Sequence, residues 1–65
     1  MVDGEKMRRL REAADITQTE LATAAGISCQ LMSFIESGLR DPSVRAFKRM
    51  ADRLGVTMDS LMKAN

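Results

Sequence analysis

Apolar residues recur three or four positions apart along most of this 65-residue chain. This is the spacing of one face of an α-helix, and no stretch shows the alternation typical of a strand. Capping residues and glycines divide the pattern into five segments. The predicted helices span about 4–14, 18–25, 29–37, 44–54 and 58–63. The pattern therefore predicts an all-α fold of five short helices in a single domain, residues 1–65.

A single glycine turn joins the second and third predicted helices. Thr17 and Glu20 have the spacing of a capping box before the second helix. Gly26 suits the left-handed position that ends a helix, and Ser28 is a good N-cap for the next one. Two helices that meet at one tight turn form a helix-turn-helix unit, whose second helix usually reads the DNA major groove. The segment from about 17 to 37 is the predicted unit.

The third predicted helix has one apolar face and one polar face. At about 100° per residue, Leu31, Met32 and Ile35 cluster on the side expected to face the core. The side chains expected to point outward are Cys29, Gln30, Ser33 and Ser37. Phe34 lies at the border between the faces. A face of small polar residues suits close approach to another molecule.

Positive and negative charges nearly balance over the whole chain, but they are unevenly distributed along the sequence. The formal net charge is +1, with ten basic and nine acidic residues. Between residues 28 and 49, however, the only acidic residues are Glu36 and Asp41. The basic residues of the same segment are Arg40, Arg45, Lys48 and Arg49. This local excess beside the predicted reading helix is a modest electrostatic footprint for nucleic acid.

Candidate catalytic and metal-binding chemistry is scarce. The chain has one cysteine, Cys29, and no histidine. Since an activated nucleophile needs a nearby base and a zinc site needs several nitrogen or sulfur ligands, we expect no enzyme activity, metal, cofactor or small-molecule substrate. A redox role for Cys29 stays open, because the start of a helix favours the thiolate.

The chain also carries no signal for export or membrane insertion. No apolar run approaches the roughly 20 residues of a membrane span. The first residues are charged and lack the apolar stretch of a signal peptide. One cysteine cannot form an internal disulfide, which favours a reducing compartment. We therefore expect a cytoplasmic protein, associated with the nucleoid, that has no membrane partner.

Several short motifs follow one another at a characteristic spacing. They are Leu10-Arg11, Thr17-Gln18, Glu20-Leu21-Ala22, Gly26-Ile27-Ser28, Ile35-Glu36-Ser37-Gly38, Pro42-Ser43 and Ala51-Asp52-Arg53-Leu54-Gly55-Val56. With this set the chain, from about residue 4 to 61, resembles the lambda-repressor-like (XRE-type) helix-turn-helix family of phage repressors and Cro proteins. The resemblance implies a compact five-helix DNA-binding domain. It also implies a transcription regulator, a Cro-like repressor or a controller type, that binds double-stranded DNA as a homodimer.

The resemblance implies roles for individual residues. Thr17 and Gln18 occupy the position at which the family grips a DNA phosphate, and Arg40 lies in a loop that approaches the backbone. Gln30 matches a base-reading position, and a glutamine amide can pair with adenine. The other residues of the predicted DNA-binding set are Ser28, Cys29, Ser33, Phe34 and Ser37.

Two further sets follow from the same resemblance. Arg11 and Glu36 match an ion pair that bridges the first and third helices. The outer edge of the fifth helix is where many relatives dimerise. Here its candidate residues are Met58, Leu61 and Met62.

One position departs from the family pattern. Position 34 is usually polar or basic in the family, but here it is Phe34, and no Lys or Arg lies between Cys29 and Ser37. Phe34 can pack on a thymine methyl, on a partner protein or on the core. The alternative function is therefore a protein-interaction module on the same fold. It would use an apolar patch around Leu31, Phe34 and Leu39 and bind DNA weakly or not at all.

Overall fold

The computed structural model describes residues 1–63, which form four α-helices and one turn of 3-10 helix. The α-helices are α1 (Gly4–Ala13), α2 (Gln18–Ala25), α3 (Cys29–Glu36) and α4 (Val44–Leu54). The 3-10 turn, η1, spans Asp59–Leu61. These residues contain no strand, which confirms the all-α prediction. The last two residues of the predicted 1–65 domain lie outside the described residues.

Local capping bonds set the helix boundaries. The Asp3 side chain accepts a hydrogen bond from the Lys6 N–H at the start of α1. Thr17 forms a complete capping box with Glu20 at the start of α2. Ser43 caps α4 in the same way that Ser28 caps α3. As a result, α2 and α4 begin and end at the predicted residues, and α3 is one residue shorter than predicted.

The fifth predicted helix is wrong as an α-helix. Thr57 does accept a hydrogen bond from the Ser60 N–H, but only the three-residue turn η1 follows. Beyond it, Met62 is extended and forms an isolated antiparallel bridge with Val2. In this bridge the backbone of Met62 pairs with that of Val2 and does not form the hydrogen bonds of a longer helix.

The core is aliphatic, as the scarcity of aromatic residues predicts. The fully buried large side chains are Met7, Leu21, Met32, Ile35, Met50 and Leu61. The helical spacing also predicts Ala14 and Val44 on the inward faces of the first and fourth helices, and the structure corrects both. Ala14 is exposed because α1 has already ended, and Arg11 is buried near that end instead. Val44 is 77% exposed because it is the first residue of α4.

The helices of the described segment are short. The longest, α4, has 11 residues. Within residues 1–63, no helix combines the length and the apolar character that crossing a membrane requires. Their packing instead places α2 between α3 and α4, while the start of α1 meets the end of α3.

Candidate nucleic-acid interface

The turn between α2 and α3 fixes the direction of the exposed helix. Gly26 is left-handed, with φ +73°, a conformation that a residue with a Cβ adopts only under strain. The Ile27 N–H then donates to the Ala22 carbonyl at 3.0 Å, which closes the turn. Below it, Leu21 and Ala25 are buried against the core. The geometry is therefore the helix-turn-helix that the sequence predicts.

α3 is buried on one side and open on the other. Met32 and Ile35 are buried. The exposed residues among the predicted DNA-binding set of α3 and its caps are Ser28, Cys29, Gln30, Ser33 and Ser37. Phe34 is half-buried beside them. The open side is therefore available to a large partner such as a duplex.

Several polar groups on this open side already have partners within the protein. The Ser28 hydroxyl caps α3 by accepting from the Leu31 N–H at 3.1 Å. The Ser37 hydroxyl donates back to its own helix, at 3.0 Å from the Ser33 carbonyl. The Cys29 thiol is 3.2 Å from the Thr19 hydroxyl. Within residues 1–63, the side chains of Gln30 and Ser33 form no hydrogen bond, so both are available to a ligand.

The start of α2 adjoins this open side. The Thr17 hydroxyl accepts from the Glu20 N–H at 3.0 Å, while the N–H groups of the two intervening residues form no hydrogen bond within residues 1–63. Open N–H groups at a helix start attract anions. Gln18 and Ser33 line one cavity of about 250 Å³. Gln18, from the predicted phosphate-binding set, and Ser33, on the predicted reading helix, therefore lie on one surface.

A buried ion pair holds α3 against α1. Arg11 Nε lies 2.7 Å from Glu36 Oε2, and Arg11 Nη2 lies 3.1 Å from Glu36 Oε1. Arg11 also donates to the Ile16 carbonyl, at 2.9 Å. Hydrogen bonding to the carboxylate raises the pKa of Arg11 despite the opposing effect of burial, so the guanidinium stays charged. The pair thus fixes the end of α3 relative to α1 and to the connection before α2.

Sequence reasoning missed a third member of this network. Gln18 Nε2 donates to Glu36 Oε1 at 3.2 Å, which ties the first residue of α2 to the last residue of α3. Its side chain is therefore directed toward the Glu36 carboxylate, and the backbone N–H of Gln18 stays open. The Thr19–Cys29 contact was missed for the same reason, because nothing in the local sequence signals a bond between helices.

The loop after α3 presents Arg40. Gly38, with φ +83°, lets the chain reverse. The N–H groups of Leu39 and Arg40 then both donate to the Phe34 carbonyl, at 2.9 and 3.3 Å. Arg40 is exposed and forms no ion pair within residues 1–63. Its guanidinium is thus free to meet an anion beside α3.

The three dimerisation candidates occupy different environments. Leu61 is 0% exposed, so it belongs to the core and cannot form a surface contact; its place on the predicted edge is wrong. Met58 is half-buried. Met62 is 43% exposed and is the candidate most available to another chain.

Comparisons with known proteins agree with this geometry. Residues 4–64 match the family model described as "Helix-turn-helix domain". Among curated proteins, the chain is 38% identical over 60 residues to the HTH-type transcriptional repressor RghR of Bacillus subtilis. The match covers 91% of this chain but 44% of RghR, so the chain spans less than half of that relative's length.

Solved structures of similar fold include DNA-bound and controller proteins. The P22 c2 repressor in complex with a synthetic operator has a TM-score of 0.89 and 25% identity, covering 100% of this chain and 98% of that one. The restriction-modification controller protein C.AhdI from Aeromonas hydrophila has a TM-score of 0.82 and 27% identity. That match covers 91% of this chain and 89% of C.AhdI.

Proposed function

This chain belongs to the lambda-repressor-like (XRE-type) helix-turn-helix family, and from that premise we propose that it is a sequence-specific DNA-binding transcription regulator. We propose the Cro-like repressor or controller type, which the similarity to the controller protein C.AhdI supports. Its partner is double-stranded DNA, which α3 enters through the major groove. The protein then works where the chromosome lies, in the cytoplasm at the nucleoid.

One observation carries this proposal. Gln30 and Ser33 stand exposed on α3 with no hydrogen bond to the rest of residues 1–63, whereas neighbouring hydroxyl and thiol groups have partners. An exposed glutamine amide can donate to and accept from the edge of adenine in the major groove. In this proposal Gln30 reads bases, with Ser33 beside it.

Phosphate contacts on both sides of α3 set its register. The open N–H groups that follow the Thr17 cap donate hydrogen bonds to one phosphate oxygen, as helix starts do. Arg40, exposed in the following loop, neutralises a second phosphate. Such contacts position the domain without reading sequence, so Gln18 and Arg40 contribute to affinity and α3 contributes specificity.

The first test is a mobility-shift titration on duplexes selected from a random pool. We expect Gln30→Ala to weaken binding to the selected duplex by about 1–3 kcal/mol, because one bidentate base contact is lost. Binding to random DNA should change little. Arg40→Ala should weaken binding to both duplexes equally.

A matched control removes a charge elsewhere. Lys48 is exposed on α4 and pairs with Asp52 at 3.5 Å. Lys48→Ala should weaken DNA binding far less than Arg40→Ala, because Lys48 already pairs with Asp52, and this comparison separates Arg40 from a general effect of net charge. If folded protein at micromolar concentration binds no duplex at all, the regulator proposal is wrong and the interaction module replaces it.

We also propose that the protein acts as a homodimer. Met62 is 43% exposed and pairs with Val2 in an antiparallel bridge, and Met58, four residues earlier, is half-buried. A domain this small buries only about 60% of the surface of its unfolded chain, so covering an apolar edge adds useful stability. Two copies would place their reading helices in successive major grooves about 34 Å apart.

Sedimentation of a charged variant tests the dimer. Met62→Glu should shift the protein towards monomer, since a buried unpaired carboxylate is unfavourable. Val44→Glu is the control, because Val44 is also exposed but lies at the start of α4. The same sedimentation for Met62→Glu and the unaltered chain would contradict this interface.

A further inference from the structure

The open side of α3 presents an amide and an aromatic ring in one line. Gln30, Ser33, Phe34 and Ser37 stand at spacings of three and four residues, which places them on one helical face. No basic side chain occurs anywhere on α3. The acidic residue of this helix, Glu36, is buried in its bonds with Arg11 and Gln18. A duplex would therefore meet a surface of α3 without an available charge.

Hydrogen bonds within the protein reduce the number of polar groups on this face of α3 that are available to a ligand. The Ser37 hydroxyl donates to carbonyl groups of its own helix, and the Cys29 thiol contacts Thr19. Only the Gln30 amide and the Ser33 hydroxyl remain open within the described residues. The polar part of the readout therefore depends mainly on one amide.

Apolar surface occupies the rest of this line. Phe34 is half-buried, so part of its ring faces outward between Gln30 and Ser37. Leu39 is 73% exposed, and its N–H donates to the Phe34 carbonyl at 2.9 Å. The loop backbone is thus bonded to the last turn of α3, and directly after the helix it presents a second exposed apolar side chain. We call Phe34 and Leu39 the apolar pair.

The four base pairs make different demands on such a surface. Guanine is read most often by Arg or Lys, and cytosine by an acidic side chain, and α3 has neither available. Adenine offers a donor and an acceptor that fit an amide. Thymine carries a methyl group that favours apolar contact. The described surface of α3 thus matches A·T pairs at the level of single groups.

Resting on the proposed function, we infer that Phe34 is a specificity-determining residue that recognises a thymine methyl. Each half-site then contains an A·T step, with adenine opposite Gln30 and a thymine methyl against the apolar pair. Gln30 and Phe34 lie four residues apart, about one helical turn, so they contact neighbouring base pairs.

Uracil substitution tests the inference on DNA of unchanged pairing. Uracil pairs as thymine does but lacks the methyl group. Each thymine of a duplex selected from a random pool is replaced in turn, and affinity is measured by titration. We expect one position in each half-site to lose about fourfold in affinity, the value of one buried methyl-sized group. The remaining thymines should tolerate the change.

Two protein variants assign that loss to its partner. The Phe34→Ala protein should bind duplexes with thymine or uracil at the sensitive position with equal affinity. Leu39→Ala, at a far more exposed residue, should reduce the difference without disturbing the fold. Val44→Ala is the matched control and should keep the full fourfold effect, since Val44 is equally exposed but lies beyond the loop.

The possible failures are distinct. Uracil tolerated at every position, or half-sites composed of G·C pairs, would overturn this inference and leave the regulator proposal intact. A loss that persists in Phe34→Ala and Leu39→Ala would overturn the assignment to the apolar pair. If the selection enriches no duplex, the proposed function fails, and the inference fails with it.

Discussion

Glu36→Gln is expected to lower the free energy of unfolding by about 3 kcal/mol, the lower part of the range for breaking a buried ion pair. The glutamine keeps the shape and one acceptor, but it removes the carboxylate that pairs with the buried Arg11 guanidinium. Typical domains are stable by only about 0.05–0.15 kcal/mol per residue, so this loss is comparable with the stability of the whole chain. Urea denaturation followed by circular dichroism would measure it.

A surface pair on the same α1 helix supplies the control. Arg8 and Glu12 lie 3.6 Å apart, but both side chains are more than half exposed. Glu12→Gln should therefore cost well under about 1 kcal/mol. In a double variant, Arg11→Met with Glu36→Leu, much of the stability should return, because no charge remains buried. Equal losses for Glu36→Gln and Glu12→Gln would show that burial does not determine the strength of the Arg11 pair.

The same pair bears on recognition. Glu36 bonds Arg11 of α1 and Gln18 of α2, so it fixes the last residue of α3 against both earlier helices. The direction of α3 in a groove therefore depends on residues that need not touch DNA. Loss of Glu36 should reduce affinity for a selected duplex even under conditions where the variant remains folded.

The parts of the fold that the sequence predicts are those decided within a few residues. Thr17 with Glu20, and Ser43 at the start of α4, define helix starts through bonds that span three positions. Gly26 and Gly55 define helix ends through their own backbone conformation. These signals need no knowledge of the rest of the molecule, which is why α2 and α4 have the predicted bounds.

The features that could not be predicted join distant residues. The predicted fifth helix is only a single turn because the chain after it pairs with the first residues. The Lys63 N–H donates to the Met1 carbonyl at 2.8 Å, and no local sequence pattern predicts this bond. The Gln18–Glu36 bond turns a predicted DNA-facing side chain inward for the same reason. Within the candidate interface, the sequence predicts which residues face outward, but the hydrogen bonds decide which polar groups remain available. The DNA contacts themselves stay predictions.

Gly4 provides the sharpest conflict between a local and a non-local effect. Gly4 is the first residue of α1, and a glycine in a helix is usually improved by alanine, by about 1 kcal/mol. Here a Cβ would overlap the Ile35 carbonyl oxygen and lie 2.9 Å from the Glu36 carbonyl oxygen. Both atoms are backbone at the end of α3, so no side-chain rotation can relieve the overlap.

We therefore expect Gly4→Ala to destabilise the domain by about 1–3 kcal/mol or more, as overpacking does, although helix propensity alone predicts a gain. Because α3 must shift to make room, affinity for a selected duplex should fall as well. Gly55→Ala is the control: its Cβ meets nothing within 4 Å, so only the strain of φ +73° remains and α3 keeps its place. That variant should lose stability but retain its affinity when folded. A stabilised Gly4→Ala protein would mean that α1 and α3 do not meet as closely as described, and the argument for a fixed α3 direction would lose its support.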